Sequence, residues 1–109
     1  MATAYKVLGQ VAPLATTATA IYTVPSATQA VVSSVTVCNR AASSGTFRLA
    51  VRPDGATLAN EHYVVYDAAI AANDTVVLTI GFTLDAADVL EAYASSADMA
   101  FNAYGSEIS

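Results

Sequence analysis

The sequence predicts an all-β fold: a single antiparallel β-sandwich over residues 1–109, jelly-roll-like, with about eight short strands. Three observations lead there. Apolar and polar residues alternate in "TFRLAVR" and "DTVVLTIGF", which sends successive side chains to opposite faces of a sheet. The apolar runs are short and are separated by turn chemistry at "ASSG", "RPDG", "DAAD" and "SSAD". No segment of helical spacing lies between them, so the crossover helices that a parallel sheet needs have no place in the chain.

Taken in order, residues 1–17 are expected to form an extended arm or edge strand, with a strand at Tyr5–Gly9. A second strand, Ala18–Val24, stops at Pro25, which has no N–H to give to a ladder. After the link "PSAT" a third strand runs from Ala30 to Asn39. Strict alternation puts Val31, Val35 and Val37 on one face and Val32, Ser34, Thr36 and Cys38 on the other. Thr46–Arg52 is the clearest strand: Phe47, Leu49 and Val51 face a core, while Thr46, Arg48 and Arg52 face away. The two arginines share a side and can pair with acids of a neighbouring strand or subunit. Glu61–Asp67 follows, with Tyr63 and Tyr66 on opposite faces by the same rule. Asp74–Phe82 is read as one strand with Val76, Leu78, Ile80 and Phe82 on one side. "LDAADVL" is then a connection, and Val89–Ser95 and Met99–Tyr104 complete the set.

The composition narrows the function. Of 109 residues, 55% are hydrophobic and only 12% charged, where an ordinary domain carries about 25% charged residues. Mean hydropathy is +0.49, so something besides water is expected to cover part of the surface. No apolar run approaches the roughly 20 residues of a membrane span, and no membrane partner is expected. Lys6 is the only early cation, so the N-terminus reads as mature protein without a secretory leader. A net charge of −5, with Lys6, Arg40, Arg48 and Arg52 the only bases, gives no footprint for a phosphate backbone. Nucleic acid is therefore not an expected partner.

Chemistry-bearing motifs are sparse. His62 is the only histidine, and no G-x-S-x-G elbow accompanies it, so catalysis is not expected. Cys38 stands alone in a Val/Thr run and reads as a small buried apolar residue. Asp85 and Asp88 could offer oxygens to Ca²⁺, but turn capping is the favoured role. No zinc, phosphate-loop or dinucleotide spacing occurs. No catalytic, cofactor-binding or metal-binding residue is assigned, and no cofactor is expected. The six tyrosines fit a subunit interface or, with less support in a chain lacking Trp, a sugar platform.

Tyr22–Pro25 ("YTVP"), the strand ending in Cys38-Asn39, "TFRLAVRP", "ANDT", "LDAADV" and the closing Gly105-Ser106-Glu107 together resemble a small all-β module of tailed-bacteriophage virion proteins, including those of cyanophages and related marine phages. The resemblance covers nearly the whole chain. It implies a non-enzymatic virion subunit, such as a capsid decoration, neck or tail accessory protein. It further implies a homo-oligomer, expected as a trimer or other small ring, that contacts other capsid, neck or tail proteins. A receptor- or glycan-binding module of a tail fibre is the alternative, with loops around Asp54, Asn60–His62 and Ser95–Asp98 forming a polar site.

Overall fold

The computed structural model describes residues 2–109. Nine strands form two antiparallel sheets: β1 (Thr3–Val11), β2 (Thr19–Thr23), β3 (Gln29–Asn39), β4 (Gly45–Arg52), β5 (Tyr63–Ile70), β6 (Thr75–Leu78), β7 (Phe82–Leu84), β8 (Val89–Ala94) and β9 (Met99–Ile108). The first sheet has the order β1-β9-β3-β6, with β7 also paired to β3; the second has the order β2-β8-β4-β5. With β6 and β7 taken as two halves of one interrupted strand, each sheet has four members in the order of a jelly roll. The all-β sandwich read from the alternation is the architecture observed.

The predicted edge strand at the N-terminus is longer than Tyr5–Gly9: β1 pairs with β9 from Thr3↔Ile108 to Val11↔Phe101. The chain ends meet, Ala2 and Ser109 exchanging backbone hydrogen bonds of 2.7 and 2.9 Å. The core lies between the sheets. Val32, Val35, Val37, Met99 and Phe101 from the first meet Phe47, Leu49, Ile70 and Leu90 from the second. Each such side chain contributes roughly 1.5–3 kcal/mol by leaving water. Phe47 and Phe101 touch edge to face across the gap, with ring centroids 6.2 Å apart.

Two face assignments in the first sheet need correction, and each fails where the strand pairing is interrupted. Ala30 and Val32 are buried, and so are Val35, Val37 and Asn39. Ser33 is an extra residue opposite Gly105–Tyr104, so the alternation flips there. Val31 therefore faces outward with Ser34, Thr36 and Cys38, not inward with Val35. Asp74–Phe82 is likewise not continuous. β6 and β7 pair with different halves of β3, and Thr79, Ile80 and Gly81 lie between them. Gly81 has φ +75, and Ile80, expected in the core, is 47% exposed.

These interruptions fall on one line across the first sheet, because Leu8 is also an extra residue, in β1 opposite Tyr104 and Ala103. Aligned bulges add twist and bring backbones close. A Cβ on Gly105 would lie 1.9 Å from the Val31 carbonyl oxygen, and one on Gly9 would lie 2.0 Å from that of Ile21 in β2. Glycine at these two places lets strands approach closely, in the second case at the corner where the sheets meet.

Candidate functional site

The residues singled out for chemistry have structural partners. His62 closes a 3-10 turn at Asn60–His62, its Nδ1 accepting the Ala59 N–H at 3.0 Å. Asp88 accepts the N–H of Asp54 on one oxygen (2.9 Å) and that of Asp85 on the other (2.8 Å), tying the turn before β8 to the turn after β4. Among the described residues no group of three metal-ligating side chains converges. Cys38, expected to be buried, is half-buried on the outer side of β3. The loops proposed for a glycan do not converge either. Asp54 follows β4, whereas Ser95 bonds to Thr46 at its start. The eight residues of that strand separate them, roughly 25 Å at sheet rise.

The outer side of the second sheet carries an aromatic and charged cluster that the sequence divided wrongly. The pairing of β4 with β5 shifts register twice, once between Phe47 and Leu49, so that Tyr66 and Asp67 together lie opposite Arg48. Asp67 takes φ 50 to make the bend. The second shift, between Leu49 and Ala50, makes Val64 an extra residue, so Tyr63 and Tyr66, assigned to opposite faces by strict alternation, share one face and stack edge to face at 4.9 Å. The Arg48 guanidinium lies 4.2 Å from the Tyr66 ring centre and 4.3 Å from that of Tyr93. It forks onto Asp67 at 2.6 and 3.2 Å. Hydrogen bonding to Arg48 holds the Asp67 carboxyl below its ordinary range, and the same bonds raise the guanidinium further. Two pleats on, Arg52 pairs with Glu91 at 3.0 Å. Both arginines thus find acids on neighbouring strands of their own sheet.

The outer side of the first sheet has the opposite chemistry. The ladder sets Thr3, Ile108 and Gln29 in one row and Tyr5, Ser106, Val31 and Thr83 in the next; a third holds Val7, Tyr104 and Ser34. Beyond the line of bulges come Gln10, Asn102, Thr36 and Val77, then Ala100, Cys38 and Thr75. Among the described residues, no charged side chain stands in these rows. Tyr5 is 86% exposed, Val77 60% and Val7 48%, so the face is also apolar along both edges.

The two charges within these strands, Lys6 and Glu107, alternate to the other side. Lys6 Nζ lies 2.8 Å from Glu107 Oε1, and Tyr22 of the second sheet donates its hydroxyl to Glu107 Oε2 at 2.5 Å. This chain closes one open side of the sandwich. Hydrogen bonds from Lys6 and then Tyr22 hold the Glu107 carboxyl below its usual range. Burial, and then the bond to Glu107, pushes the Tyr22 hydroxyl well above its usual value.

No family model matches this chain, and no curated protein matches it. The functional reading therefore rests on the two faces. The uncharged one was within reach of the sequence, since β1, β3, β6, β7 and β9 contain only Lys6 and Glu107 as charges. The tyrosine cluster was not, because it depends on a register shift that leaves no local signature.

Proposed function

We propose that this chain is a non-enzymatic structural subunit of a tailed-bacteriophage virion, a capsid decoration or a neck or tail accessory protein that works through protein–protein contacts. The observation that carries the reading is the charge-free outer face of the first sheet, in a chain whose net charge is −5. A freely dissolved protein gains solubility from charge on every side, whereas a subunit covered by neighbours does not need it there. The jelly-roll order is in keeping with this, as the fold recurs in viral coat proteins, though it hosts other roles as well. The resemblance of the "YTVP", "TFRLAVRP" and "LDAADV" segments to phage virion modules points the same way. In this reading the subunit self-associates and also attaches to capsid, neck or tail proteins.

The test is quantitative mass spectrometry of purified particles, followed by locating the subunit in their density. A fixed copy number per particle, in simple ratio to the shell or neck proteins, is the expected result. Absence from washed particles would refute it.

A second reading, a glycan- or receptor-binding module, is favoured by Tyr66, which is 59% exposed beside Arg48 and Tyr63. Aromatic faces flanked by forked polar groups suit sugars. Retention of a sugar on a glycan array, lost on Tyr66→Ala, would support it.

A further inference from the structure

We propose that two copies of this chain pack face to face through the uncharged outer side of the first sheet; this deepens the reading of the chain as a subunit that acts through protein contacts. Two features of the face select a second copy as its occupant.

The first is charge. Each chain carries −5, so two copies repel wherever their acids approach. In an isologous contact, a residue near the axis meets its own counterpart, and any charge there would face a like charge. A face with no charge at all is the one on which an acidic chain can meet itself without that penalty.

The second is size. Four strand spacings by about nine residues cover on the order of 600 Å² in projection, and more once the raised side chains are counted. That is close to the roughly 800 Å² per partner of a standard stable interface.

A face that packs against itself makes an isologous contact, which closes on two copies. That distinguishes a pair from the trimer expected from the resemblance, because a three-fold contact joins two different patches.

Sedimentation equilibrium and light scattering on the purified chain test this. The expected mass is twice 11.1 kDa. Val77→Lys makes the chain less acidic overall, yet it is expected to raise the dissociation constant of the pair about tenfold or more, since it places a charge on a face that has none. Thr57→Lys, in the β4–β5 loop, makes the same change in net charge and is expected to leave the pair intact. Thermal melting of both variants verifies that they fold. A monomer at every concentration, a trimeric mass, or a pair equally stable in Val77→Lys and Thr57→Lys would each overturn the proposal. A chain present in particles but monomeric when purified would refute the pair alone. A dimeric chain absent from particles would refute the virion reading alone.

Discussion

Asn39 shows how a single residue fixes the end of a strand. It is 1% exposed, and its amide donates to the carbonyls of Ser43 (3.0 Å) and Ala71 (3.1 Å) while its oxygen accepts the Ala41 N–H (3.0 Å). One side chain thus satisfies backbone groups of two loops that have no ladder partner. Asn39→Ala leaves them unpaired where water enters poorly, and a loss of about 2–3 kcal/mol in urea unfolding is expected. The Lys6–Glu107–Tyr22 chain makes a different prediction, about pH. The Glu107 carboxyl is held below its ordinary 4.5, so the native state binds fewer protons than the unfolded chain in acid. Its contribution is complete above that value and is lost as pH falls through the lower native one. Tyr22 is raised above 10.0, so its contribution is complete below that pH and declines as pH rises further. Melting temperature against pH should therefore fall on both limbs. Glu107→Gln is expected to flatten the acid limb, and Tyr22→Phe the alkaline one.

At the scale of elements, the strands were legible and their faces were legible only up to the first irregularity. β4 keeps strict alternation from Gly45 to Arg52, and its core residues Phe47 and Leu49 were read correctly. In β3 and β5 an extra residue reverses the faces, so a period-two rule puts Val31 on the wrong side and parts Tyr63 from Tyr66. Between β6 and β7 the chain leaves the ladder, which exposes Ile80, and returns with Phe82 still against the core. A bulge is decided by packing across the sheet, here the close approach of Gly105 to Val31, which no short window of sequence contains. The break at Gly81 can be tested by itself. Its φ is +75, and nothing lies within 4 Å of where a Cβ would stand. Gly81→Val therefore adds backbone strain without a clash, and a cost of about 1–2 kcal/mol by chemical denaturation is expected. A neutral substitution would mean that the β6–β7 break relaxes freely.

For the whole molecule, the jelly-roll order makes the two sheets depend on each other. β9 lies inside the first sheet, between β1 and β3, and is made from the end of the chain, while its partner β1 is made from the beginning. Almost every pairing that holds the fold is therefore distant in sequence, so folding is expected in milliseconds to seconds. The link between the layers is the core, where Phe101 of β9 meets Phe47 of β4. Removing either ring leaves a cavity bounded by both sheets, and each of Phe47→Ala and Phe101→Ala is expected to cost about 3–5 kcal/mol. Domains of this size have a total stability of roughly 5–15 kcal/mol, so either variant comes near its limit and the double variant is expected to be unfolded at 25 °C. Phe47→Leu and Phe101→Leu keep most of the volume and lose the edge-to-face contact. In a double-mutant cycle with these leucine variants the coupling should be about 0.5–1.5 kcal/mol, with the denaturant slope unchanged. A coupling near zero would mean that the layers are joined by burial alone, with no specific contribution from the paired rings.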